Sequence, residues 1–174
     1  MNIILSGMPG SGKSYFGELA AKKMNRMFID TDVLLMKRYF QLKNIQATCR
    51  EIALKEGEPF FRDLETQFVK ELESANNSII AIGGGTLASS ANAQILRNLG
   101  IVIYLKVPPE TLFDRFSAKP SIFRKPDVQG SFEALLKQRI PLYEKTCHYC
   151  IDVSSENVLE CIQHYANLGN CLGK

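Results

Sequence analysis

The chain has 174 residues, 45% of them hydrophobic and 22% charged, with a formal net charge of +3. That balance suits one soluble domain with a real core, and so small a charge gives no case for a nucleic-acid surface. No stretch approaches the roughly 20 apolar residues needed to cross a bilayer, and the first apolar run passes straight into Gly7 and Lys13 rather than a secretory signal.

Short apolar runs alternate with amphipathic stretches along the chain. Residues 2–6, 27–29, 79–82, 101–106 and 149–153 read as strands, several of them β-branched without polar alternation, as strands buried on both faces require. Helical periodicity covers 13–24, 32–40, 59–74, 89–99, 109–116, 131–144 and 157–166. The alternation predicts a single α/β domain over 1–174, with a parallel sheet, right-handed crossovers and helices on both faces. There is no internal repeat. Residues 118–130, "AKPSIFRKPDVQG", carry two prolines, a terminal glycine and three basic residues, and are expected to form a mobile loop.

Five cysteines without an export signal read as reduced thiols, which places the chain in the cytoplasm. Cys147, Cys150, Cys161 and His164 resemble a zinc set in spacing. A strand beginning by Cys147 would send the first two thiols to opposite faces, so buried structural cysteines are the expectation. The size and the lack of an apolar surface stripe point to a monomer with neither membrane nor nucleic-acid partner.

Between the first strand and the first helix stands Gly7-Met8-Pro9-Gly10-Ser11-Gly12-Lys13-Ser14, a phosphate-loop pattern with every fixed position matched. Glycines let backbone N–H groups turn toward phosphate oxygens, and the helix N-terminus adds positive potential. Lys13 is suited to the β- and γ-phosphates, and the Ser14 hydroxyl to Mg²⁺. A nucleoside triphosphate is the expected ligand.

Neither the third nor the fourth strand ends in a carboxylate that would support the metal; the third runs into Gly83-Gly84-Gly85. The carboxylates come instead from "FIDTD". In continued extended geometry Asp30 and Asp32 would leave on one side beside the phosphate loop. One is suited to metal-bound water and the other to the proton of an acceptor hydroxyl, while a helix cap accounts for part of one role.

With "GMPGSGKS" at 7–14, "DTD" at 30–32, "GEPFFRDLE" at 57–65, "GGGT" at 83–86 and "RIPLY" at 139–143, the chain resembles the shikimate kinases, among the nucleoside-monophosphate-kinase-like phosphotransferases. The resemblance implies transfer of the ATP γ-phosphoryl group to the 3-hydroxyl of shikimate. It also implies a three-layer P-loop kinase fold with a five-stranded parallel sheet, a substrate-binding helical region at about 32–65 and a closing lid at about 118–130. By similarity Asp32 is the base or orienting group, Asp30 supports Mg²⁺ beside Ser14, and Arg62 and Arg139 grip the shikimate carboxylate. Gly83, Gly84 and Gly85 lie against the ring. Gly10, Ser11, Gly12, Lys13, Ser14 and Tyr15 hold the ATP phosphates, and Arg115 is the adenine-side arginine.

Planar guanidinium groups suit a carboxylate through paired hydrogen bonds. Glu65, three residues after Arg62, is placed to hold that fork in position. The lid departs from the family pattern: Lys119-Pro120 matches by position, whereas Arg124 keeps the guanidinium, and either is a candidate to reach the phosphates and stabilise the transition state. Two other readings are a small-acceptor kinase such as one acting on gluconate, and a non-catalytic ATP-binding module; Asp32 beside the phosphate loop argues against the second.

Overall fold

The computed structural model describes residues 1–117 and 128–172. Five parallel strands, β1 (Asn2–Ser6), β2 (Met27–Asp30), β3 (Ser78–Ala81), β4 (Gly100–Lys106) and β5 (Tyr149–Asp152), form one sheet in the order β2-β3-β1-β4-β5. The helices are α1 (Lys13–Met24), α2 (Thr31–Lys43), α3 (Cys49–Glu56), α4 (Glu58–Glu71), α5 (Ser90–Leu99), α6 (Pro109–Ser117), α7 (Val128–Thr146) and α8 (Val158–Leu172). Single 3₁₀ turns lie at Leu72–Ser74 and Thr86–Ala88.

Side chains of a strand alternate between faces, and β1 shows how that builds three layers. Ile3 and Leu5 pack with Ala20 and Ala21 of α1 and with Val158, Ile162 and Ala166 of α8. Ile4, between them, packs on the other side with Leu96 of α5, Leu112 of α6 and Tyr143 of α7. A third apolar cluster, Leu35, Tyr39, Ile52, Phe61, Leu64 and Phe68, joins α2, α3 and α4 into a separate lobe. That lobe overlaps the helical region expected at 32–65.

β1 sits at the centre with β3 on one side and β4 on the other, and ligands of such sheets bind at the carboxyl ends of the strands where the order reverses. The loop after β1, the β2–α2 junction after Asp30 and the glycines after β3 all open at that end, since Asp30 lies level with Ala81.

Several expectations need correction. β2 runs to Asp30 and α2 starts at Thr31, so Asp30 and Asp32 are not consecutive same-side positions of one extended strand. They are brought close by a strand-to-helix turn, in which Asp30 caps the helix that carries Asp32. Helix α3 was not expected from periodicity; it starts at a capping box of Thr48 and Glu51. Helix α7 begins at Val128, inside the stretch expected as loop, and contains Pro141. The cysteines are not uniformly buried: Cys147 and Cys161 are half-buried, and Cys150, within the edge strand β5, is exposed. His164 is exposed on α8. No described helix is long and apolar enough to cross a membrane.

Candidate active site

The phosphate loop depends on glycine backbones. Gly10 and Gly12 adopt φ of 87° and 91°, the left-handed region that residues with a Cβ disfavour, and Gly12 is the N-cap of α1. The Lys13 ammonium donates to the Gly7 and Met8 carbonyls at 2.9 and 3.0 Å, which curls the side chain over its own loop. Arg115, from α6, donates to the Gly10 carbonyl at 2.6 Å and so reaches the loop from the helix that follows β4. A cavity of about 340 Å³ opens here, lined by Gly12, Lys13, Ser14, Tyr15, Asp30 and Asp32 among others. The Tyr15 ring, 64% exposed, stands at its rim.

Asp30 does two things with two oxygens. Oδ1 accepts from the Asp32 and Val33 N–H groups at 3.0 and 3.3 Å, capping α2. Oδ2 accepts from the Ser14 hydroxyl at 2.6 Å. A hydroxyl and a carboxylate side by side are hard oxygen donors of the kind Mg²⁺ takes alongside phosphates and water.

The triple glycine is where the other predicted residues meet. A Cβ on Gly83 would lie 2.6 Å from Asp32 Oδ1, one on Gly84 3.2 Å from Arg139 Nη1 and 2.9 Å from Pro9 Cδ, and one on Gly85 2.6 Å from Arg62 Nη1. None of the three lies in the left-handed φ region. These positions are glycine for space, not for backbone conformation: each missing side chain leaves room for one functional group. Asp32, Arg139 and Arg62 are thus lined up along three consecutive residues, and Pro9 brings the phosphate loop against the middle one.

The supports behind these groups are largely residues that periodicity and motif reading passed over. Thr31, the middle residue of D-T-D, is buried and its hydroxyl accepts from the Gly83 N–H at 3.0 Å, tying the β2 end to the glycines. Glu65 is the expected partner of Arg62, accepting from Nη1 at 2.8 Å; its other oxygen accepts from the Thr86 hydroxyl at 2.7 Å. With Glu65 only 5% exposed, the pair is more than a surface ion pair. Cys49, at the start of α3, points its thiol at the Asp32 carbonyl at 3.6 Å. The one available signal for Thr31 is its place between two aspartates.

Asp32 has its pKa raised, first by burial and then by the neighbouring Asp30 charge; Lys13 works in the opposite direction. A carboxylate pushed upward is a stronger base than an exposed aspartate. Lys119 and Arg124, the two candidates for the lid cation, lie outside the described residues.

A sequence model of the family described as shikimate kinase matches residues 9–168. The chain belongs to the shikimate kinase family. It is 40% identical over 145 residues to the shikimate kinase of Microcystis aeruginosa, covering 82% of this chain and 73% of that one. The shikimate kinase of Symbiobacterium thermophilum is 36% identical over 152 residues, covering 85% and 84%. Among solved structures, shikimate kinase from Acinetobacter baumannii in complex with shikimate superposes with a TM-score of 0.82 at 32% identity, covering 96% of this chain and 91% of that one. The shared fold is that of the P-loop kinases, with a five-stranded parallel sheet between two helical layers.

Proposed function

We propose that the protein transfers the γ-phosphoryl group of ATP to the 3-hydroxyl of shikimate, giving shikimate 3-phosphate and ADP. The observation that carries this reading is the convergence of Asp32, Arg139 and Arg62 on the triple glycine, next to the phosphate loop. Two guanidinium groups set against adjacent glycines suit one carboxylate, and a base against the glycine before them suits a hydroxyl on the same small molecule.

In this reading Arg62 and Arg139 bind the acid and orient its ring, and Glu65 keeps the Arg62 fork in place. Asp32 takes the proton of the 3-hydroxyl as its oxygen bonds to the γ-phosphorus and the bond to the ADP oxygen breaks. Lys13 and the N–H groups of residues 10–14 hold the phosphates, and Arg115 and Tyr15 flank the nucleotide. Positioning and charge neutralisation are the main demands of phosphoryl transfer, so no covalent nucleophile is needed. Mg²⁺ fits the oxygens of Ser14 and Asp30; when bound it offsets charge on the phosphates. The protein acts as a monomer, with the α2–α4 lobe on the acid side of the cleft.

A coupled ADP-release assay with shikimate and a panel of other hydroxy acids tests the proposal. Turnover with shikimate is expected. Turnover with gluconate but not shikimate, or ATP binding without ADP from any acceptor, would reject it.

A further inference from the structure

Tyr143 lies one helical turn after Arg139 on α7 and is 1% exposed. Its ring stacks on Tyr104 with centroids 5.2 Å apart. Its hydroxyl lies 2.5 Å from the Gly84 carbonyl and 3.7 Å from Met8 Sδ. A hydroxyl has one proton to donate, and a carbonyl oxygen is a far better acceptor than a thioether, so the proton goes to Gly84. Burial pushes the Tyr143 phenol well above its ordinary value, which keeps it a donor at any working pH.

That bond has a geometric consequence. A peptide unit is planar and trans, so a carbonyl and the N–H that follows it point in opposite directions. With the Gly84 carbonyl held toward Tyr143, the Gly85 N–H points the opposite way, away from α7. Gly84 and Gly85 are both half-exposed, and neither N–H donates to another described residue. Residues 83–86 form a turn closed by the Thr86 N–H on the Gly83 carbonyl at 3.1 Å; with glycine at both central positions its middle peptide can flip at little steric cost, and the Tyr143 bond selects one orientation.

We propose that Tyr143 is a positioning residue for the acid substrate: its hydroxyl fixes the Gly84–Gly85 peptide so that the Gly85 N–H is presented to an oxygen of the bound acid. Because Arg139 and Tyr143 are four residues apart on one helix, the same rigid element sets the guanidinium and the N–H relative to each other. The inference rests on shikimate being the acceptor.

The test is Tyr143→Phe, which keeps the ring and its stacking and deletes only the hydroxyl; at saturating shikimate the variant's Gly85 amide should stay unprotected, which sets the Gly84 bond apart from the hydroxyl's bond to the Arg139 side chain. KM for shikimate is expected to rise about tenfold, the loss of one oriented hydrogen bond, while KM for ATP stays within about twofold. A lower Tm with both KM values unchanged would make the hydroxyl merely structural and overturn the proposal. Independently of how that variant folds, the Gly85 amide of the wild-type enzyme should exchange with solvent quickly in the absence of shikimate and be protected when it is added. Protection that shikimate does not change would also overturn it. If the wild-type enzyme does not turn over shikimate at all, the functional reading fails and this inference fails with it.

Discussion

Arg62 and Glu65 form a charge-assisted hydrogen bond of 2.8 Å in which the carboxylate is almost fully buried and the guanidinium is not. One end of the pair is therefore fixed by the lobe and the other is offered to the cleft. Glu65→Gln keeps the shape but removes the charge, and an amide places an acceptor oxygen at only one of the two positions that now accept from Arg62 and from the Thr86 hydroxyl. We expect KM for shikimate to rise about tenfold and stability to fall by about 1–3 kcal/mol, the cost of leaving a buried polar group poorly paired. Steady-state kinetics together with urea unfolding measure both.

Gly85→Ala probes the space argument. The added methyl would meet the far end of the Arg62 side chain at 2.6 Å, not backbone, so the guanidinium is displaced and the fold tolerates the change. The expected result is a Tm close to wild type with KM for shikimate raised about tenfold or more and KM for ATP unaffected. An unchanged KM for shikimate would mean that Arg62 does not hold the acid.

Asp32→Asn should separate function from stability. Removing the base is expected to lower kcat by a factor of roughly 10²–10⁴ with little change in nucleotide affinity. The folded-state pKa of Asp32 is raised above its ordinary 3.8 by burial and the Asp30 charge. The folded protein thus binds this proton more tightly than the unfolded chain, and stability falls as pH rises from 3.8 through the folded-state value. At neutral pH the ionised Asp32 is a cost, so the variant should melt higher, by on the order of 2 °C. In the wild-type enzyme the acid limb of kcat/KM should lie above 3.8.

His148 makes the sheet itself sensitive to acid. Its Nδ1 accepts from the Val102 N–H at 3.0 Å and its backbone N–H donates to the Val102 carbonyl at 2.8 Å, so the ring stands in for a backbone acceptor just before β5. Burial, and then the Arg97 charge, lower the His148 pKa below 6.5. The unfolded chain then binds the proton more readily, and stability is lost as pH falls through 6.5 toward the folded-state value. A melting series from pH 7.5 to 5 should show Tm falling, and His148→Gln, which keeps an acceptor without a titrating proton, should flatten that slope.

The parts of this protein that could be read from sequence are those in which a residue type and a short spacing carry the chemistry. The phosphate loop, D-T-D and the two arginines are of that kind, and so is the sheet, since β1, β3 and β4 are apolar runs that nothing else accommodates. What could not be read depends on contacts across the chain. Thr31 meets a glycine 52 residues away, Thr86 a glutamate 21 away, and Tyr143 a carbonyl 59 away. Helix α3 escaped because Ile52 is its single fully buried residue, leaving no apolar stripe; the Thr48 and Glu51 capping box was the usable sign. Asp30 and Asp32 lie beside each other through a helix cap, a geometry that an extended strand does not give and that periodicity does not reveal.

A crystal structure with ADP and shikimate bound measures the central relationship directly. The shikimate carboxylate should sit within roughly 3 Å of guanidinium nitrogens of both Arg62 and Arg139, with the 3-hydroxyl in similar reach of Asp32 on the side facing Lys13. A ring seated away from the triple glycine, or turned so that its carboxylate faces the phosphate loop, would contradict it.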